Sequence, residues 1–273
     1  MRCIIPTLAL VSCSLGALAL TPGSVAAQGR SRNSDEPFRW SGEIQKGHWV
    51  YVHNVNGLVR VEAGSGTKVE ITATKHWRRG DPDEVKISLQ QVGSGRGDVL
   101  VCALWNENST CDEDGVRSHN DGWRNHNNDT SVEFIIRLPA GVNVNASTVN
   151  GGVEVDGATA EVIAKTVNGN VEARSSGGPV HVRTVNGDID VRAGSIGDER
   201  LDYSTTNGSI TLEIPASANA DVDMRTVNGG LSSDFPLMVQ GRFDRRHMQA
   251  TLGKGGPILR LSTVNGSIRL RKA

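Results

Sequence analysis

The fold is decided by the stretch from Thr148 to Leu212, which opens with Thr148-Val149-Asn150-Gly151-Gly152-Val153-Glu154-Val155. The same phrase, with small variations, returns along the chain. Its Asn-Gly pairs are Asn56-Gly57, Asn150-Gly151, Asn168-Gly169, Asn186-Gly187, Asn207-Gly208, Asn228-Gly229 and Asn265-Gly266. From residue 150 the intervals are 18, 18, 21, 21 and 37 residues. A short period of this kind is typical of stacked structural repeats, and the last interval contains an insertion.

Apolar residues alternate with polar ones inside each repeat, as at Val153/Val155 and Ile189/Val191. A period of two indicates strands, and each Asn-Gly pair suits a tight turn. An antiparallel meander and a spring-like coil both fit these signals. Because the whole phrase recurs, we predict an all-β fold, a β-solenoid of short-strand coils with 18–21-residue repeats. An antiparallel β-sandwich is the alternative.

The first 27 residues have the layout of a secretory signal peptide, with Arg2, an apolar run from Ile4 to Leu20, and Val25-Ala26-Ala27 at the expected cleavage site. We therefore expect export to the periplasm, the outer envelope or the medium, with no transmembrane span in the mature chain. The segment Leu10-Val11-Ser12-Cys13 resembles a lipobox, so a lipid anchor at Cys13 is an alternative. The apolar sequence continues beyond Cys13, which argues against it.

Beyond the signal peptide, the sequence predicts a flexible tether at 28–37, an N-terminal β region with decorated loops at 38–147, and a repeat solenoid at 148–273 with an insertion at 231–257. All five tryptophans precede the repeats. The early phrase around Asn56 predicts that the N-terminal region is a coil of the same solenoid. A formal net charge of −1 argues against nucleic-acid binding by bulk electrostatics.

Cys102 and Cys111 are the only cysteines after the predicted signal peptide. In an exported chain they predict a disulfide, with a free thiol pair as the alternative. The bridge would hold the base of a polar loop over 112–130, whose candidate ligand or metal residues are Asp112, Asp114, His119, Asp121, Trp123, His126 and Asp129. Their order matches neither an EF-hand nor structural zinc spacing. A solvated loop is the main interpretation, and calcium is the one cofactor considered. Trp123 either packs on the core or offers a stacking face to a sugar.

Four further groups of residues in the repeats carry structural and catalytic hypotheses. Glu154, Glu172 and Asp190 are expected in one column beside Arg174 and Arg192, as a solvated charged face. Asp188 and Asp190 have the spacing of a glycosidase pair, although strand alternation produces such pairs freely. The repeated asparagines, pointing inward at a corner, would form a hydrogen-bonded ladder. Arg269, Arg271 and Lys272 on the last strand would protect the open end of the solenoid.

The repeated phrase, Leu138-Pro139-Ala140-Gly141, and the ending Leu252-Gly253-Lys254-Gly255-Gly256 together resemble the bacterial putative-adhesin domain family. The resemblance covers most of residues 40–272. It implies an exported protein of β-strand repeats and supplies no catalytic residues. We therefore predict a non-enzymatic cell-envelope or surface protein, an adhesin or interaction scaffold whose partner is a protein or a glycan. A polysaccharide-active β-helix enzyme, a glycoside hydrolase or lyase, is the alternative.

Overall fold

The computed structural model describes residues 36–105, 108–118, 128–239 and 244–273. Apart from the short 3-10 helices Pro82–Glu84 and Ser94–Arg96, the regular elements in these ranges are strands. The strands are β1 (Phe38–Glu43), β2 (Trp49–His53), β3 (Val59–Ala63), β4 (Lys68–His76), β5 (Lys86–Val92), β6 (Asp98–Leu104), β7 (Ser109–Asp112), β8 (Gly115–Ser118), β9 (Ser131–Leu138), β10 (Asn143–Ser147), β11 (Val153–Ala158), β12 (Val162–Lys165), β13 (Val171–Ser175), β14 (Val180–Arg183), β15 (Ile189–Ala193), β16 (Leu201–Ser204), β17 (Ile210–Ile214), β18 (Ala220–Arg225), β19 (Leu231–Ser233), β20 (Met238–Val239), β21 (His247–Leu252), β22 (Ile258–Ser262) and β23 (Ile268–Lys272).

Two long sheets face each other across one core. Sheet A has the order β1-β4-β9-β3-β11-β13-β15-β17-β23-β19, and sheet B has the order β20-β21-β18-β22-β16-β14-β12-β10-β2-β6-β5. Each coil gives one strand to each sheet, and equivalent strands of neighbouring coils pair in parallel. In sheet A, for example, Val153 lies opposite Val171, and Val171 lies opposite Ile189. This arrangement confirms the predicted β-solenoid.

The alternating apolar residues point between the sheets and form one continuous core. Val171 and Ile189 from sheet A, and Val180 and Val182 from sheet B, are each at most 2% exposed. The coil β2–β3 of the N-terminal region pairs with β10 and β11 of the repeats, so the same core runs through both parts of the chain. The predicted domain limit near residue 147 therefore falls inside a continuous pair of sheets.

The coils do not stack in chain order at either end. The coil β6–β9 lies outside β2–β3, and the antiparallel strands β4, β1 and β5 cover it. At the other end, the last coil β22–β23 lies between β16–β17 and β18–β19. The insertion 231–257 provides the length of chain that β22–β23 needs to reach the position between these two coils. The prediction that Arg269, Arg271 and Lys272 protect an open end is therefore wrong, since β23 is an interior strand. Strands β21 and β20 cover β18 instead.

The Asn-Gly turns stack into one corner of the solenoid. In the six copies from Thr148 onward, the threonine that opens the phrase is buried. Its hydroxyl donates to a glycine carbonyl of the neighbouring coil, as from Thr166 to Gly151 at 2.8 Å. The asparagines lie outside, and each side-chain amide donates to the next. These bonds run from Asn168 to Asn150, Asn186 to Asn168, Asn207 to Asn186, Asn265 to Asn207 and Asn228 to Asn265, at 2.7–2.8 Å. The ladder exists, but threonine takes the inward position expected for asparagine.

Candidate functional site

The disulfide between Cys102 and Cys111 joins a small hairpin, β7–β8, to sheet B. Cys102 lies on β6, in register with His53 of β2. His53 is only 1% exposed. Its Nε2 donates to the carbonyl oxygen of Glu113 in the hairpin at 3.2 Å, which leaves Nδ1 to accept from the Ser147 hydroxyl at 2.6 Å. Burial lowers the pKa of His53 below its ordinary value. The disulfide thus fixes the hairpin against this part of sheet B.

The described acids of the predicted ligand loop are engaged in local structure. Asp112 Oδ1 accepts from the backbone N–H groups of Asp114 and Gly115 at 3.1 and 3.2 Å. Arg117 lies 3.1 Å from Asp112 Oδ2 and 3.4 Å from Asp114 Oδ2. These contacts account for both carboxylates as parts of the β7–β8 turn.

Asp129 also holds a turn. Its Oδ1 accepts from the backbone N–H groups of Arg78 and Arg79 at 2.8 and 2.9 Å, and these bonds lower its pKa. His119, Asp121, Trp123 and His126 lie outside the described residues. Within the described ranges, no group of three or more His, Cys, Asp or Glu side chains is placed to hold a metal ion. A metal site in this loop stays a prediction.

The outer face of sheet A carries paired charges. Glu154, Glu172 and Asp190 lie in register on adjacent strands. Arg60 Nε contacts Glu154 at 2.8 Å, and Arg174 pairs with Glu172. Farther along the same face, Arg192 pairs with Glu213.

Asp188 of the glycosidase-like pair supports the fold. Its Oδ1 accepts from the Ser209 N–H at 2.7 Å, and its own N–H donates to Asn170 Oδ1 at 2.9 Å. Asp190 lies on the outer face of sheet A. One carboxylate of the pair is therefore occupied in joining neighbouring coils.

The outer face of sheet B has a different character. Trp49 and Tyr51 on β2 stack with their ring centroids 5.8 Å apart. Farther along the face is a shallow groove of about 430 Å³. It is lined by Ile163, Lys165, His181, Val182, Arg183, Asp202, Tyr203, Ser204 and Ser262. These residues come from strands β12, β14, β16 and β22, so four neighbouring coils build the groove.

Two cations stand side by side in this groove. Lys165 and Arg183 are parallel register partners on β12 and β14, and both are exposed. Among the described residues, neither side chain has an ion pair or a hydrogen bond. The neighbouring acid Asp202 is held by Arg200 at 3.0 and 3.1 Å. As far as the described residues go, the groove therefore holds two cations without a paired acid.

Sequence patterns alone did not single out Lys165 and Arg183. A signal was present, because each directly precedes the threonine of a repeat phrase, 18 residues apart. In a solenoid this position forms one column, which continues with Ser204 and Ser262. That neither cation has an ion pair within the described ranges is visible only in the folded chain.

A second concavity, of about 520 Å³, lies at the N-terminal end of the solenoid, where Trp40, Gly42, His48, Arg96 and Gly97 contribute to its walls. The Trp40 ring packs so closely on Gly42 that a Cβ there would lie 2.4 Å from a ring carbon. His48 Nδ1 lies 2.8 Å from Asp98 Oδ1. Trp40 and His48 thus have partners within the chain. The sheet B groove is therefore the stronger candidate site.

A family model described as Toastrack DUF4097 matches residues 50–271. The chain belongs to this family. The match confirms the resemblance drawn from the repeated phrase. No curated protein matches the sequence. Within the described ranges of this Toastrack chain, no helix has the length and apolar character needed to cross a membrane.

Two solved structures are similar to this Toastrack chain. One is a putative cell adhesion protein from Clostridium sporogenes ATCC 15579, with 10% identity and a TM-score of 0.44, covering 87% of this chain and 100% of the other. The second is a putative adhesin from Bacteroides fragilis NCTC 9343, with 14% identity and a TM-score of 0.35, covering 86% of this chain and 97% of the other.

Proposed function

We propose that this Toastrack protein is an exported, non-enzymatic binding scaffold of the cell envelope, and that its ligand contacts the outer face of sheet B. The observation that carries the proposal is the groove across β12, β14, β16 and β22, where Lys165 and Arg183 have no partner among the described residues. Backbone hydrogen bonds between parallel coils hold these side chains in fixed register. A rigid face with unpaired charged side chains is suited to recognition, because little conformational entropy is lost when a ligand binds.

The enzymatic alternative has less support. Asp188 Oδ1 accepts a backbone hydrogen bond from the neighbouring coil, so this oxygen joins the coils and is not free to act as a general acid or base. The candidate acids of the hairpin, Asp112 and Asp114, contact Arg117. A binding role requires no such free acid.

Blocking each face separately tests the proposal. Protein starting at Gln28 would carry Ser204→Cys in the groove or, as the matched control, Asp190→Cys on the outer face of sheet A, and each thiol would be coupled to a bulky maleimide-polyethylene glycol. We expect groove-blocked protein to lose binding to isolated envelope fractions and to arrayed glycans, while the sheet A conjugate binds like the parent. Equal binding by both conjugates would contradict the proposal.

Two further measurements address export and catalysis. Mass spectrometry of the protein recovered after expression in a bacterial host should give a chain beginning at Gln28. A chain that retains residues 1–27 would contradict the export proposal. Polysaccharides that bind should keep their length after incubation, and chain shortening would support the enzymatic alternative.

A further inference from the structure

The two groove cations form an arrangement that the fold itself does not explain. Lys165 and Arg183 lie directly opposite each other on adjacent parallel strands, and neighbouring strands of a sheet are about 4.8 Å apart. Like charges at such positions repel and destabilise a sheet. An anion bound between the two side chains would attract both of them and offset this repulsion.

The opposite face of the same coils provides a direct comparison. Arg174 and Arg192 are also register partners on adjacent strands, β13 and β15. There each arginine has an acid from the chain itself, Glu172 for Arg174 and Glu213 for Arg192. The chain therefore neutralises an equivalent pair of cations on sheet A, whereas the pair on sheet B has no ion pair with the described residues.

The acids Asp202, Glu161 and Asp223, in or near the groove, face other basic side chains. Asp202 is bound by Arg200 through both carboxylate oxygens. Glu161 faces His181 at 3.9 Å, and burial raises the pKa of this carboxyl. Farther along the sheet, Asp223 is held by Arg225, His247 and Arg260. The cations of the groove thus remain in excess at its centre.

Hydroxyl groups extend the same row away from the cations. Arg183 is in register with Ser204, and Ser204 is in register with Ser262. Ile163 supplies an apolar patch beside Lys165. A single compact anion would contact the two cations but would not reach the serines on the next two strands. A chain that carries both acidic groups and many hydroxyls can contact the whole row.

We propose that the groove binds an acidic polysaccharide, with Lys165 and Arg183 contacting a carboxylate or sulfate group and with Ser204 and Ser262 contacting sugar hydroxyls. Charge-assisted hydrogen bonds to such anions are stronger than neutral ones, and arginine can hold a planar carboxylate through two N–H groups. The inference rests on the proposed binding function and names the class of ligand for the same groove.

Titration calorimetry of the purified protein with alginate, heparin and dextran tests the inference. Alginate carries uronate carboxylates, heparin carries sulfates as well, and dextran is neutral. We expect binding to at least one acidic polymer and none to dextran, with affinity falling as salt is raised. The double variant Lys165→Gln/Arg183→Gln should weaken this binding at least tenfold. The variant Arg174→Gln/Arg192→Gln removes the same charge from sheet A and should change affinity less than twofold.

The outcomes separate the inference from the general binding proposal. Equal weakening by the two double variants would mean that bulk charge attracts the polymer, and this overturns the inference. Binding of dextran as tightly as alginate would also overturn it, although a neutral-glycan scaffold would survive. If none of the three polymers binds, the inference fails, and the conjugates blocked at residues 204 and 190 still test the scaffold.

The melting temperature of the groove variant provides a second readout. Without ligand, Lys165→Gln/Arg183→Gln should melt at the parent temperature or above it, since it removes a repulsive contact. A lower melting temperature would show that the two cations stabilise the fold, which contradicts an unsatisfied pair.

Discussion

The two outer faces of the solenoid are built by the same coils, yet they treat charge in different ways. On sheet A, Arg60, Arg174 and Arg192 each contact an acid of the chain. On sheet B, Lys165 and Arg183 lie side by side without such a partner among the described residues. The repeat fixes where the columns of side chains lie. The residues in a column then decide whether its charges are paired within the chain or are available to a ligand.

The corner between the faces follows a stricter rule. The six Thr-x-Asn-Gly copies from Thr148 onward present a buried threonine and an exposed asparagine there, and these side chains form hydrogen bonds to the neighbouring coil, as Thr166 and Asn186 do. The coil β2–β3 has Asn54 in place of the threonine. Variation is tolerated one residue before the phrase, where lysine, arginine and serine occupy equivalent positions. We infer that the corner supports both faces and that the column before it carries the specificity.

Gly187→Ala should give the largest effect, because it disrupts the corner on which both faces depend. A Cβ at this position would lie 1.9 Å from the Gly169 carbonyl oxygen of the neighbouring coil. Backbone atoms cannot move aside cheaply in a stacked sheet, so we expect a loss of about 1–3 kcal/mol or more in unfolding free energy. Urea unfolding followed by circular dichroism measures it.

Gly230→Ala is the control for this change. The nearest atom to a Cβ there is Ser267 Oγ at 3.9 Å, so the stability should change by no more than about 0.5 kcal/mol. Equal losses in the two variants would show that replacing any glycine in the phrase is harmful, whatever the distance to the next coil.

The corner also shows how far the sequence alone predicts this fold. The spacing from Asn150 to Asn186 and the alternation of Val153 and Val155 favour a solenoid, because stacked coils explain the recurrence of the whole phrase better than hairpins do. The order of the coils is not encoded in the same way. The phrases at Thr226 and Thr263 are nearly identical, and either could pair with the coil at Thr205. Which of them does so depends on packing between distant segments.

The candidate site was less accessible to sequence reasoning than the fold. The column that contains Lys165 and Arg183 follows from the period, but the lack of an ion pair to these two side chains among the described residues depends on which side chains the coils bring together. The outward position of the asparagines is similar, since only the buried hydroxyl of Thr166 shows which side of the corner faces the core. In contrast, the disulfide that the structure contains was predicted from the sequence, because Cys102 and Cys111 are the only cysteines after the expected signal peptide.

His53, buried on sheet B, should make the stability of the protein depend on pH, with an effect of intermediate size. Burial lowers its folded-state pKa, while the unfolded chain protonates near the ordinary histidine value of about 6.5. Between that value and the lower folded-state pKa, the unfolded state binds more protons. The stability contributed by neutral His53 is therefore complete above about pH 6.5 and is lost as the pH falls.

We expect the melting temperature of the parent protein to fall between pH 7.5 and pH 5, and the fall to be smaller in His53→Gln. His76→Gln is the control, since the His76 side chain is 58% exposed and already lies in solvent. Identical slopes for the parent and His53→Gln would show that sheet B contributes no buried neutral histidine to the pH dependence.

Arg60→Gln should give the smallest effect on stability, and it tests the charge pairing on the outer face of sheet A. The variant removes the contact with Glu154 and leaves that acid beside Glu172 in the adjacent strand. Both partners are more than one-third exposed, so the loss should be below about 1 kcal/mol and should shrink at high salt. Urea unfolding at low and high salt measures it. Lys165→Gln on sheet B should have the opposite sign at low salt, because it removes repulsion instead of attraction. Equal destabilisation by both variants would show that the two faces do not differ in charge pairing. That result would contradict the proposal that the cations of the sheet B groove are available to a ligand.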